Sequence, residues 1–204
     1  LGMSGRFMLC DSAHAAPLRP HDHAVMDFEG GIELRFNDPR RFGLIDYARE
    51  CQLERHKLFA HLGPEPLTKE FDGALLARLL KGKKTSIKSA LLDQHVIVGI
   101  GNIYACESLF WARLSPKRLA HTIQGKRARD LARTIKCVLE RAIAAGGSSL
   151  RDYVNVAGEL GNFQRHFAVY DREGERCPGC DCRTGIKRIV QAGRSTFYCA
   201  KRQR

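Results

Sequence analysis

The chain has 204 residues, and its 34 lysines and arginines against 22 aspartates and glutamates leave a formal charge of +12, the balance of a protein that meets nucleic acid. With 44% hydrophobic and 27% charged residues it can bury one or two cores, which excludes a disordered chain and a mini-scaffold held by disulfides alone. No run approaches the roughly 18 apolar residues of a membrane span, and no basic stretch followed by an apolar one opens the sequence as a secretion signal would. The expectation is a cytoplasmic protein with no membrane partner. The opening Leu1-Gly2-Met3-Ser4-Gly5 reads as the middle of a strand and turn, so a missing N-terminus is also expected.

Residues 1 to about 50 read as β. Segments 24–28 and 32–37 flank Glu29-Gly30-Gly31, and Ile32, Leu34 and Phe36 alternate with Glu33, Arg35 and Asn37, the pattern of a half-buried hairpin. Pro64-Glu65-Pro66 is a stiff break that disfavours helix, and a domain boundary is placed there. Beyond it the period becomes helical. Leu75, Leu76, Leu79 and Leu80 mark a helix over 71–80; Ile87, Leu91 and Leu92 mark a short second one; Gly99-Ile100-Gly101-Asn102 leads into a third ending near Ala112. A long fourth helix over 125–145 buries Ala128, Leu131, Ile135, Val138, Leu139 and Ala142 and stops at Gly146-Gly147. Ser149 and Asp152 resemble a capping box for a short fifth. From Phe167 onward the pattern returns to short strands and turns, with a hairpin formed by 186–192 and 196–199 around Gly193-Arg194. The fold class is α+β, with domains at 1–63, 64–172 and 173–204.

Of the eight cysteines, Cys10, Cys51, Cys106 and Cys137 stand alone in apolar or helical contexts and read as buried free thiols. The other four crowd the C-terminus. Cys177-Pro178-Gly179-Cys180 is a knuckle whose two thiolates can meet one tetrahedral Zn²⁺, and Cys199 returns across the hairpin. A second Cys-x-x-Cys pair would end at position 202, which is Arg202, so the four-cysteine set is incomplete. Cys182 swings in as the fourth ligand, a water fills the place, or the hairpin stands without metal; the spacing leaves these open. With no general base nearby in sequence, the site reads as structural.

Around that hairpin Arg183, Lys187, Arg188, Arg194, Lys201, Arg202 and Arg204 face only Asp181, a patch suited to a phosphate backbone. Gly99-Ile100-Gly101-Asn102 is either a phosphate-capping helix start or a plain helix cap by Asn102. Lys81, Lys83, Lys84 and Lys88 add cations without the spacing of a nucleotide-binding P-loop. Asn37-Asp38-Pro39-Arg40-Arg41-Phe42-Gly43 sets a ring beside arginines. It reads either as a wedge for a base stack or as a core phenylalanine with its arginines in water.

These pieces occur in order, and across essentially the whole chain, in the bacterial formamidopyrimidine-DNA glycosylase family (Fpg or MutM). The segments that resemble it are Leu1-Gly2-Met3-Ser4-Gly5, His21-Asp22-His23, 37–43, 62–67, 99–107, Gly146-Gly147-Ser148-Ser149-Leu150 and 193–199. The resemblance implies a partial N-terminal β-sandwich, a helix-two-turns-helix domain and a C-terminal zinc-finger-like β-hairpin, with one Zn²⁺ and double-stranded DNA carrying a damaged base or abasic site as partner. By motif position, Met3, Arg40 and Phe42 match residues that fill the gap left by a flipped base. Lys88, Asn102 and Arg194 match residues that grip phosphates around the lesion, and Arg41 and His21 stand beside these sets as further DNA-contact candidates. Segment 156–164 matches a lid over the flipped base, with Asn162 where an aromatic is common.

Two departures matter. The family works through an N-terminal proline amine, an adjacent glutamate and an early lysine, none of which has a match here, so binding without excision is expected of these 204 residues. Arg202 stands in place of the last zinc cysteine, which bears on metal affinity and on the Arg194 turn. The function implied for the complete protein is excision of oxidised purines such as 8-oxoguanine and formamidopyrimidines with AP lyase activity, and nothing in the sequence requires more than a monomer. The alternatives are a non-catalytic damaged-DNA-binding protein and an oxidised-pyrimidine glycosylase of the same superfamily.

Overall fold

The computed structural model describes residues 1, 4–14, 16–148 and 161–204. Met3, the Ser149–Asp152 box and positions 156–160 of the lid segment lie outside the described residues. The fold is α+β and divides into two compact units, Leu1–Arg49 with Ala142–His166, and Glu50–Arg141 with Phe167–Arg204. Among the described residues no helix is long and apolar enough to cross a membrane.

In the first unit, β1 (Arg6–Asp11), β2 (Asp22–Phe28) and β3 (Ile32–Asn37) form an antiparallel sheet in the order β1-β3-β2. Gly30 and Gly31 take φ of +85° and +76°, which lets the β2–β3 hairpin turn where the sequence placed it. The register sets Phe7, Phe36 and Ala24 across from one another, then Leu9, Leu34 and Met26, so these share one face. The strict alternation expected of β3 does not hold, because Arg35, Phe36 and Asn37 are all buried while Ile32 is exposed. The polar face is covered by the chain before β2. Arg35 pairs with Glu33 and donates to the Pro17 carbonyl at 3.3 Å, and Asn37 Nδ2 donates to the Pro20 carbonyl at 3.1 Å and Asp22 Oδ1 at 2.8 Å. Nor does β structure reach residue 50, since β3 ends at Asn37 and no strand lies between Asp38 and Glu50. The Asp38-Pro39 step begins a turn and removes a backbone donor.

In the second unit, α1 (Gly73–Leu80) starts at Asp72, whose carboxylate accepts from Leu75 N at 2.7 Å. Ser86 caps α2 (Ile87–Leu91) in the same way. These pack with α3 (Asn102–Trp111) and α4 (Lys126–Ala144) around Leu76, Leu80, Ile87, Leu91, Leu109, Leu131 and Ile135. Past α4, Gly146 and Gly147 take φ of +72° and +87°, and their N–H groups return to Ile143 and Ala142, stopping the helix where expected. Residues 105–110 of α3 are all buried, because one side meets this core and the other meets a second cluster. In that cluster Cys106 and Phe110 pack against Val169, Ile186 and Phe197, seating the hairpin β4 (Lys187–Gln191) and β5 (Arg194–Tyr198) on α3.

The four solitary cysteines do not share one fate. Cys106 is buried as expected and Cys10 is half-buried, but Cys51 and Cys137 are exposed. Cys137 sits on α4 between buried Ile135 and Val138, and the 3.6-residue period turns it toward solvent.

Candidate nucleic-acid interface and cysteine cluster

The loop after β3 is organised by a residue the sequence reading passed over. Asp38 is fully buried, and its carboxylate accepts Gly43 N–H at 2.6 Å and Ser4 Oγ at 2.8 Å. The Gly43 bond foremost, with those of Ser4 and the Arg40 and Phe42 backbone, holds this carboxyl below its ordinary value against the opposing effect of burial. A Cβ on Gly43 would lie 2.5 Å from Phe36 Cζ, so only glycine lets the loop close over the sheet. The bracing leaves Phe42 62% exposed, with the Arg40 guanidinium 4.7 Å from its ring centroid. A core role for Phe42 is thereby excluded. Arg41, at φ +54°, is exposed on the same loop. His21, exposed at φ +76°, is tied to this loop because its carbonyl accepts Asp38 N–H at 3.0 Å.

In the second unit Lys88, Asn102 and Arg194 converge on the start of β5. Lys88 is 0% exposed and its Nζ donates to the Ser195 carbonyl at 3.2 Å. Asn102 Nδ2 donates to the same carbonyl at 2.9 Å and to the Tyr170 hydroxyl at 3.3 Å, while its Oδ1 is buried without a partner. The simple helix-cap role is therefore wrong for Asn102; the N-cap is Gly101, and Asn102 binds across to the hairpin instead. Arg194 is exposed, next to a turn in which Ala192 and Gly193 take φ of +47° and +71°. Burial, reinforced by the neighbouring Arg194 charge, pushes the Lys88 ammonium below its ordinary value. A buried ammonium and a half-buried amide thus hold in place the backbone that presents an exposed cation.

Glu107 completes this support, and nothing in its sequence surroundings beyond a carboxylate inside an apolar helix signals it. Its Oε2 accepts Ala168 N–H and its Oε1 accepts the N–H groups of Val169 and Tyr170, all at 2.9 Å. Burial raises its pKa, and these three bonds oppose that rise. The segment it fixes carries Tyr170, whose ring meets Phe197 at 5.1 Å and whose hydroxyl accepts from Asn102.

Cys182 completes the cysteine cluster, the first of the alternatives that the spacing left open. The Sγ atoms of Cys177, Cys180, Cys182 and Cys199 all lie within 4.8 Å of one another, with Cys180–Cys199 and Cys182–Cys199 both at 3.5 Å. A tetrahedral ion with bonds of about 2.3 Å sets sulfurs about 3.8 Å apart, so the four thiols fit one metal ion. Burial raises the Cys177, Cys182 and Cys199 thiols. Burial acts the same way on Cys180, but hydrogen bonding from the other three thiols outweighs it and brings Cys180 down to about 7. Of the basic residues around the hairpin, Arg183, Lys187, Arg188, Arg194, Lys201 and Arg204 are exposed, whereas Arg202 is turned inward.

Two family models match the chain: the formamidopyrimidine-DNA glycosylase N-terminal domain over residues 1–45 and the formamidopyrimidine-DNA glycosylase H2TH domain over residues 62–154. The formamidopyrimidine-DNA glycosylase of Rhodospirillum centenum is 56% identical over 214 aligned positions, covering 100% of this chain and 73% of that protein. The chain belongs to the formamidopyrimidine-DNA glycosylase family. Among solved structures of that family, the MutM (Fpg) protein of Thermus thermophilus superposes with a TM-score of 0.86 at 42% identity, covering 99% of this chain and 73% of its own. The Lactococcus lactis Fpg bound to abasic-site DNA superposes with a TM-score of 0.87 at 33% identity, covering 100% of this chain and 73% of its own.

Proposed function

We propose that this chain supplies the lesion-recognition machinery of a DNA repair glycosylase for oxidised purines, 8-oxoguanine and formamidopyrimidines. The observation that carries the reading is the whole-chain likeness, at a TM-score of 0.87, to a family member holding abasic-site DNA. A base inside a duplex is unreachable until extruded, and extrusion needs a wedge to replace its stacking and a grip on the bent backbone. The exposed Phe42 ring with Arg40 against it is the wedge, with Met3 as its third member and Arg41 and His21 as flanking contacts. Arg194 makes the phosphate contact directly, while Lys88 and Asn102 set its turn and present positive charge and an amide beneath it. In this reading residues 1–63 carry the wedge, 64–172 the helical support and 173–204 the hairpin. One Zn²⁺ held by the cysteine cluster stiffens that hairpin as a structural ion.

Base release and strand cleavage by the family, as the resemblance implies, need an amine that attacks the sugar C1′, expels the base and leaves an imine that promotes elimination. The 204 residues hold no match to that proline, glutamate and lysine. In this reading these residues by themselves bind damaged duplex without excising the base. Incubation with abasic duplex and borohydride tests this. The expected result is a gel shift on abasic DNA with no covalent adduct, whereas an adduct as abundant as an intact family member gives would overturn the binding-only assignment. Failure to distinguish abasic from undamaged duplex would overturn the recognition role itself.

A further inference from the structure

We propose that the fourth metal ligand of this chain is Cys182 and that Arg202, standing where a second Cys-x-x-Cys pair would end, has become a brace that clamps the Cys177–Cys180 knuckle onto the end of α3. The inference rests on the reading that the cysteine cluster holds a metal ion, and it concerns which residues do the holding.

The main chain and the side chain of Arg202 point to different tasks. Its backbone N–H still hydrogen-bonds Cys199, the cluster cysteine three residues earlier. Its side chain leaves the cluster: Nη1 donates to the Gly179 carbonyl at 2.7 Å, and the guanidinium lies 4.8 Å from the Phe110 ring centroid and 5.9 Å from that of Trp111. Gly179 makes the approach feasible, because a Cβ there would meet Arg202 Nη1 at 2.6 Å and Cζ at 2.7 Å. The cation is thus layered between the tip of the knuckle and the aromatic end of α3, an arrangement that a cysteine at 202 could not make.

Cys182 fills the place so vacated. It is buried, its Sγ lies 3.5 Å from that of Cys199, and it belongs to the set of four thiols within 4.8 Å of one another. The exchange is one of reach: a ligand contributed from the far strand end has been replaced by one contributed from the knuckle itself, in a Cys-x-x-Cys-x-Cys run. Three of the four ligands then come from 177–182, leaving Cys199 as the single tie to the β5 end. The bracing that a second ligand at 202 would give falls to the Arg202 stack.

X-ray absorption on the zinc-loaded 204-residue chain reads the ligand set without any variant, with four sulfurs at about 2.3 Å expected. Three sulfurs and a light atom would overturn the Cys182 assignment while leaving metal binding intact; a chain that retains no metal would overturn the metal reading itself. Cys182→Ser is expected to weaken zinc at least ~100-fold in chelator competition, more than loss of an outer-shell partner. The double variant Cys182→Ser with Arg202→Cys is expected to recover most of that affinity. Unchanged affinity in the single variant, or no recovery in the double, would overturn the exchange. Arg202→Ala is expected to keep four sulfurs but change Trp111 emission, and an unaltered spectrum would overturn the brace.

Discussion

Glu107 offers the most exacting test of how the second unit is held together. Replacing it with alanine leaves the N–H groups of Ala168 and Val169 buried and that of Tyr170 half-buried, each without the acceptor it has at 2.9 Å. Three bonds to a charged acceptor are lost and the cost of burying that charge is recovered, for a net destabilisation of about 3–4 kcal/mol. Glutamine separates geometry from charge. Its oxygen can keep the Val169 and Tyr170 bonds made to Oε1, but its amide nitrogen must then face the Ala168 N–H, donor against donor. That loses one bond and adds a repulsion, about 1–2 kcal/mol. The single tryptophan, Trp111, lies on the same helix and reports this unit by fluorescence in equilibrium urea unfolding. With a slope of about 2 kcal/mol/M, the alanine midpoint should fall by roughly 1.5–2 M and the glutamine midpoint by roughly 0.5–1 M. A midpoint for Glu107→Ala within about 0.5 M of the parent, or a glutamine variant as damaged as alanine, would refute the three-bond account.

Further expectations follow from the two candidate DNA-contact regions. Phe42→Ala should lower affinity for abasic duplex about tenfold with little change on undamaged duplex, as binding titrations would read, because only the distorted site needs the wedge; equal losses on both would count against it. Arg194→Ala should weaken both DNAs alike and reduce the slope of log K against log salt by about 1, and an unchanged slope would remove the phosphate assignment. Asp38 sets an acid limit. Its folded pKa lies below the ordinary 3.8, so its stabilisation is fully present above that value and is lost as pH falls through the folded one. Asp38→Asn should therefore flatten the acid limb of a thermal-stability profile below about pH 4, and an identical limb in the variant would show that another group controls it.

Local pattern alone was enough to locate the β2–β3 hairpin, the four helices and the β4–β5 hairpin, because a 3.6- or 2-residue period and paired glycines are written in neighbouring residues. It also gathered the four C-terminal cysteines into one candidate metal site, whereas Phe42 and Arg194 stood out only through the family resemblance. The tertiary structure decided what depends on residues far apart in the chain. Whether Phe42 is core or exposed turns on Asp38 reaching Ser4 and Gly43. Whether Asn102 caps its own helix turns on a carbonyl 93 residues away. Arg35 and Asn37 are buried because the loop before β2 folds over them, which no alternation within β3 could reveal. Periodicity records which side of an element is apolar, whereas burial of a polar group is settled by the partner that meets it, and for Glu107, Lys88 and Arg202 that partner lies outside their own segment.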